Sequence, residues 1–233
     1  MHTPPGTLYI VAGPIGNMAD ITLRALETLR AVDVVCAEDT RVTSKLLAAH
    51  EIPFKKLISV NEFADARKLE QVIALLGEGS SVAFLSDAGT PGISDPGSLL
   101  VAEARAADIT IVPIPGVSAI TAAMSVAGIR ETPFLFYGFL PHKKGRQKIL
   151  DSLLAGEHTV VLYESPHRFV KLLEELTERD VEVGLRVVVG RELTKVFEEI
   201  QEGSPAELLA HYEEHEDTVR GEFVLIIRKG GVL

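Results

Sequence analysis

Cysteine is nearly absent from this chain, with Cys36 alone among 233 residues. A single cysteine excludes an intrachain disulfide and any multi-cysteine metal cluster. It lies in the apolar run Asp33-Val34-Val35-Cys36-Ala37 without a nearby histidine, which reads as a buried structural thiol rather than a nucleophile. Tryptophan is missing and aromatics reach only 6%. The core must therefore be aliphatic, which suits parallel sheets covered by helices. No apolar run approaches the ~20 residues needed to span a bilayer. Met1-His2-Thr3-Pro4-Pro5 lacks the basic and apolar regions of a signal peptide, so a cytoplasmic protein without a membrane partner is expected. Positive charge is scarce too. The net charge of −10 argues against indiscriminate nucleic-acid binding and leaves room only for a local basic cleft.

What the chain does have is a regular alternation in its first half. Leu8–Ala12, Val34–Ala37, Val82–Leu85 and Ile109–Pro113 read as strands. Between them, Ile21–Leu29 with Asp20 as N-cap, Thr43–Ala49, Arg67–Leu76 and Leu99–Ala106 read as helices. Strand and helix in turn imply βαβ units and a parallel sheet. The second half differs. Phe134–Tyr137, Thr159–Tyr163, Arg186–Gly190, Val196–Gln201 and Glu222–Arg228 read as strands, but only some are separated by helices (Lys144–Leu154, Phe169–Thr177, Pro205–Glu213). That pattern predicts a mixed sheet. The expected fold class is therefore α/β with two domains, 1–116 and 117–233, the boundary falling within Pro113–Pro133.

Four strand ends carry dense turn chemistry: Ala12–Asn17 (A-G-P-I-G-N), Ala37–Arg41 (A-E-D-T-R), Ser86–Gly97 (S-D-A-G-T-P-G-I-S-D-P-G) and Pro113–Ala119 (P-I-P-G-V-S-A). In open α/β sheets the carboxyl ends of strands line the ligand crevice. Glycine permits close backbone approach and proline fixes loop shape. Ala12–Asn17 has neither the G-x-G-x-x-G of a dinucleotide site nor the G-K-[ST] ending of a phosphate loop. Asp87 and Asp95 would repel a phosphate. A cofactor with a cationic centre, an adenine and a ribose fits better, which favours S-adenosylmethionine (SAM), although residue types alone do not single it out. The histidines lack a paired spacing such as H-E-x-x-H, so no metal site is expected.

The order of motifs resembles the tetrapyrrole methylase superfamily of SAM-dependent methyltransferases. The resemblance runs from about Gly6 to Arg228. Its motifs are Pro14–Asn17, Ala37–Arg41, Ser86–Gly97, Pro115–Ala119, Gly138–Pro141 (G-F-L-P), Tyr163–Arg168 (Y-E-S-P-H-R), Gly190–Lys195 (G-R-E-L-T-K) and Arg220–Val224 (R-G-E-F-V). The porphyrin-precursor branch has G-x-G-P-G-D and G-D-P at the first and third loops. G-P-I-G-N and S-D-A-G here favour the branch that methylates a cytidine 2′-oxygen in small-subunit ribosomal RNA. The resemblance implies a homodimer and a cofactor in the cleft between two α/β domains. It further implies cofactor contacts from Pro14, Ile15, Gly16, Asp87, Gly89, Thr90, Ser118, Ala119 and Tyr163. Rivals to the rRNA reading are a relative acting on a tetrapyrrole precursor or a modified protein histidine, and a non-catalytic SAM-binding module.

Transfer of a methyl group from a sulfonium to a ribose hydroxyl needs alignment and removal of the hydroxyl proton, or a cation that stabilises the developing alkoxide. Glu38, Asp39 and Arg41, with Glu192 and Lys195, are the candidate catalytic residues, since both groups follow strand ends. His167 is a further candidate base, as histidine commonly serves in that role, but Ser165-Pro166-His167 also reads as the start of a helix. His142-Lys143-Lys144-Gly145-Arg146-Gln147-Lys148 is the strongest basic cluster. Lys143, Lys144 and Arg146, with Arg168 and Arg191, are the candidates for contacting RNA phosphates.

Overall fold

Short aliphatic runs between glycine- and proline-rich turns become strands, and the intervening amphipathic stretches become helices, in a computed structural model that describes residues 6–53, 55–61, 66–129, 133–180 and 183–230. Met1–Pro5, the stretch that lacks the features of a signal peptide in the sequence, lie outside the described residues. The chain divides into two units, one ending at Ser118 and the other beginning at Ala119.

In the first unit, β1 (Thr7–Val11), β2 (Val34–Ala37), β3 (Lys56–Ser59), β4 (Val82–Leu85) and β5 (Thr110–Ile114) form a wholly parallel sheet in the order β3-β2-β4-β1-β5. Alternate strand residues face opposite ways. Tyr9, Val11, Val35, Ala83 and Leu85 pack against Ala25 and Leu29 of α1 (Leu23–Ala31) and Leu46 and Leu47 of α2 (Thr40–Ala49). Leu8, Val34, Cys36, Val82 and Phe84 pack against Val72 and Leu76 of α3 (Ala66–Gly77) and Leu100 and Ala104 of α4 (Gly97–Ala106). Helices on both faces explain why the strands read as unbroken aliphatic runs. Cys36 is fully buried, and desolvation pushes its thiol up to about 12. It is a packing residue, as its sequence context suggested. The start of α1 differs from expectation. Thr22 Oγ1 accepts from the Ala25 N–H (3.1 Å), whereas Asp20 ends a short 3-10 turn capped by Asn17.

In the second unit, β6 (Phe134–Phe139), β7 (Thr159–Glu164), β8 (Leu185–Arg191), β9 (Glu199–Gly203) and β10 (Phe223–Lys229) are ordered β6-β7-β10-β8-β9. Only β6 and β7 run parallel; the other neighbours are antiparallel, giving the expected mixed sheet. The helices α6 (Arg146–Ala155), α7 (Pro166–Arg179) and α8 (Pro205–Glu214) supply Leu150, Phe169, Leu172, Leu176, Leu208 and Tyr212 to the core on one face. Phe169 stacks on Phe223 with ring centroids 3.9 Å apart. An additional helix, α5 (Ala119–Val126), lies against β10. The strand expected from Val196 starts only at Glu199. Turn hydrogen bonds from Lys195 N–H to Glu192 C=O and from Glu198 N–H to Lys195 C=O occupy the preceding residues, and Val196 is 92% exposed.

The basic cluster also needs correction at one position. Arg146 is not a surface cation: it is 3% exposed, its Nε donating to Glu175 (2.9 Å) and its Nη1 to Glu164 (3.2 Å). Both carboxylates are themselves buried. Arg168 approaches the same Glu164 at 2.7 Å and donates to the Leu140 carbonyl at 2.8 Å. Two guanidinium groups thus neutralise two carboxylates in the interior, joining β7, α6 and α7. Removing one member leaves an uncompensated buried charge. Arg146→Ala is expected to lower unfolding free energy by about 3–5 kcal/mol, measured as a shift of the urea midpoint; an unchanged midpoint would contradict the burial described here.

Candidate functional site

Four motif loops of the first unit meet at the carboxyl end of its sheet, and Ser86–Gly97 is their hub. Gly13 N–H donates to the Gly89 carbonyl (2.9 Å), and Gly89 N–H donates to the Pro14 carbonyl (3.1 Å). This reciprocal pair fixes the first loop to the third. Thr90 Oγ1 donates to the Val117 carbonyl (2.9 Å), tying in the fourth loop. The Asp39 N–H donates to Asp87 Oδ1 (2.9 Å), and the Asp87 N–H donates to Glu38 Oε2 (3.2 Å), tying in the second. Gly89 has φ +71°, and a Cβ there would stand 3.0 Å from Ile15 Cγ2 and 3.3 Å from the Val117 carbonyl. Only glycine suits both the backbone and the space.

The structure therefore brings Pro14, Ile15, Gly16, Glu38, Asp39, Arg41, Asp87, Gly89, Thr90 and Ser118 to one edge. The two aspartates there are driven apart electrostatically. Hydrogen bonds donated by the guanidinium and by the backbone N–H of Arg41 to the Asp39 carboxylate hold it down at about 2. Asp87 is raised above the ordinary carboxylate range by desolvation and by the negative charge of Asp39. Asp39 is thus a permanent anion and a weak base, suited to orienting a partner rather than taking a proton. Asp95, read from sequence only as a repelling charge, has a different task. Its carboxylate accepts the N–H groups of Gly92 (2.8 Å), Ile93 (3.3 Å) and Gly97 (2.8 Å), so the loop is held from inside.

In the second unit, sheet register gathers the remaining motifs. Tyr163, Val224 and Gly190 lie side by side across β7, β10 and β8, with Phe139 beside Tyr163 on β6. Four motifs distant in sequence thus share one row. Ala119 opens α5 in this unit, and the hydroxyl of Tyr163 is pushed up to about 12 by burial, with a smaller contribution from Glu222. Lys195 Nζ donates to Glu192 Oε1 (2.7 Å) and Glu222 Oε2 (2.8 Å). Burial pulls the ammonium pKa down, but these two carboxylates outweigh burial and hold it above the ordinary lysine value.

The expected RNA-contacting residues separate into two sets. Lys143 and Lys144 are exposed. Arg191 is buried and donates to Glu199 (2.7 Å), while Arg168 is occupied as described, so neither offers a free guanidinium. His167 sits exposed in the first turn of α7. Among the described residues no group of acidic, histidine or cysteine side chains has a metal-binding arrangement, and no helix is long and apolar enough to cross a membrane.

Sequence reasoning missed Glu222, which lies 27 residues from Lys195 and meets it only through strand pairing. It also missed why Gly221 precedes it. Gly221 has φ +86°, and a Cβ there would overlap the Glu192 carboxyl group. Gly221→Ala is expected to destabilise the chain by about 1–2 kcal/mol from the left-handed backbone alone, read from urea unfolding; a neutral result would contradict the left-handed conformation at this position.

Comparison with known proteins bears on this geometry. A ribosomal RNA small subunit methyltransferase I from Borrelia garinii subsp. bavariensis is 46% identical over 224 residues, covering 95% of this chain and 98% of that protein. The protein of the same name from Escherichia coli O157:H7 is 46% identical over 223 residues, covering 95% of this chain and 77% of the other. Among solved structures, a cobalt precorrin-4 methyltransferase of cobalamin biosynthesis superposes with a TM-score of 0.69 at 18% identity, covering 95% and 94% of the two chains, which shows a shared fold. The model of the tetrapyrrole (corrin/porphyrin) methylases matches residues 7–209, and the chain belongs to this family.

Proposed function

We propose that this protein transfers a methyl group from SAM to the 2′-oxygen of a cytidine ribose in the decoding region of 16S RNA in the small ribosomal subunit, acting as a homodimer in the cytoplasm. The observation that carries the reading is the identity of 46% along almost the whole chain to small-subunit rRNA methyltransferases. The G-P-I-G-N and S-D-A-G loops, joined by the reciprocal backbone bonds, point the same way, because they stand where the porphyrin-precursor branch has G-x-G-P-G-D and G-D-P.

Bound SAM supplies a methyl group made electrophilic by its sulfonium. In the proposed assignment Pro14, Ile15, Gly16, Asp87, Gly89, Thr90, Ser118, Ala119 and Tyr163 hold it. The glycine and proline loops offer backbone groups at fixed positions, and Asp87 offers a negative charge. Overall, a carbon–oxygen bond forms, the sulfur–carbon bond breaks with its electron pair left on sulfur, and the hydroxyl proton is released to solvent. Glu38, Asp39 and Arg41 orient the reacting groups, Arg41 keeping Asp39 anionic. Glu192 steadies Lys195, whose fixed charge favours the oxygen as it becomes negative. Lys143 and Lys144 meet the RNA backbone; Arg146, Arg168 and Arg191 shape the protein that carries the site.

The deciding experiment incubates the protein and labelled SAM with small subunits from cells lacking this protein, and in parallel with a tetrapyrrole precursor and with the modified protein histidine, and maps the label. A decoding-region cytidine whose 3′ linkage resists alkaline cleavage is expected; label entering a tetrapyrrole or a protein histidine instead overturns the reading. Asp87→Ala should weaken SAM binding about tenfold, equivalent to about 1.4 kcal/mol, by calorimetry. Reversing charge at Lys143 and Lys144 together should raise KM for subunits about tenfold at low salt, with a shallower salt dependence than the unaltered chain, while SAM affinity stays unchanged. Unaltered kinetics after the double reversal would remove these lysines from the RNA path.

A further inference from the structure

We propose that Glu222 is a positioning residue for methyl transfer, holding the Lys195 ammonium jointly with Glu192 across a turn that only a glycine at 221 permits. The proposal rests on the reading above, in which Lys195 acts on the reacting oxygen. An ordinary surface ion pair would contribute little, and several features set this one apart. Lys195 meets two carboxylates, at 2.7 and 2.8 Å, not one. Glu192 and Glu222 are also locked to each other: the Glu192 N–H donates to the Glu222 carbonyl (2.9 Å), and the Glu222 N–H donates to Glu192 Oε1 (2.9 Å). The turn carrying Lys195 places two non-glycine residues, Glu192 (φ 49°) and Thr194 (φ 69°), in the left-handed region. Backbone strain of this kind persists only where the surroundings over-determine it. Gly221 supplies the space, since any side chain there would displace the Glu192 carboxyl group.

The three side chains differ in exposure in a way that suits the role. Glu192 is 17% exposed, Lys195 29% and Glu222 72%. Glu192 is the inner anchor, and Glu222 is the outer arm that stops the lysine from swinging into solvent. Glu222 also acts on the hydroxyl of Tyr163 through its charge, linking the lysine to the row of motif residues across β7, β10 and β8. A lysine gripped by two carboxylates stays protonated, so its contribution is a fixed positive charge and not a proton-accepting amine. The R-G-E-F-V and G-R-E-L-T-K motifs are, on this view, two halves of one device.

The test measures methylation of small subunits by Glu222→Ala, Glu222→Gln, Lys195→Ala and the Lys195→Ala/Glu222→Ala double variant, alongside SAM calorimetry and urea unfolding. Glu222→Ala should lower kcat about tenfold with SAM affinity and unfolding midpoint unchanged. Glu222→Gln should recover most of that loss, because a carboxamide oxygen still accepts from Nζ. The double variant should be no slower than Lys195→Ala alone, the signature of two residues acting as one unit. A wild-type rate for Glu222→Ala overturns the proposal, as does a double variant whose loss is the product of the single losses. A fall in midpoint that tracks activity without rescue by glutamine also overturns it, in favour of a purely structural pair. Wild-type protein that puts no methyl on the RNA overturns the functional reading itself, and is seen before any variant is compared.

Discussion

Two backbone hydrogen bonds, Gly13 to Gly89 and Gly89 to Pro14, are the constraint on which the first unit's working edge depends. Strand ends in a parallel sheet splay apart under its twist, and their loops need a reason to stay together. Here the reason is a clasp between main chains, tight enough that a methyl group on residue 89 would touch both Ile15 and the Val117 carbonyl. With the clasp closed, Thr90 reaches Val117 and Asp87 reaches the backbone of Asp39. Loops tied together by main-chain bonds have less conformational freedom to lose when a ligand binds.

The two units solve the problem of gathering residues differently. The first uses parallel strands, so its loops are gathered simply because each follows a carboxyl end. The second uses antiparallel register, which aligns Tyr163 with Val224 and Gly190 although they are far apart in sequence. Its charged interior serves the same end. Glu164 follows Tyr163 directly and is held by Arg146 and Arg168, so the end of β7 cannot fray. An apolar cluster would give comparable stability, but hydrogen-bonded ions fix direction as well as distance.

Much of this was legible in the sequence where local chemistry decides. Val34–Ala37 and Val82–Leu85 were read to the residue, because strands buried on both faces stand out as aliphatic runs. β3 escaped because it is an edge strand in which only Ile58 is buried. α5 escaped because Ala119–Val126 is only eight residues long and its two polar residues, Thr121 and Ser125, make too narrow a face to set a helical period. The loops of the candidate site were found from their glycines and prolines, yet their mutual bonds were not, since spacing along the chain says nothing of contacts between loops. Arg146 was misread for the same reason: a run of basic residues advertises a surface, and its partners stand 18 and 29 positions away. Glu222 sat within a recognised motif, and only strand pairing revealed what it holds.

The buried thiol has a practical consequence. Cys36 is sealed between β2 and the helices α3 and α4, and its proton is held too firmly for it to become a nucleophile in neutral solution. The native chain is therefore silent to thiol-directed dyes and spin labels. One cysteine introduced at an exposed position, such as Leu23 in the first unit or Val196 in the second, becomes a unique attachment point without removal of the native one. The separation between two such points, one in each unit, can then be followed in solution as substrate is added.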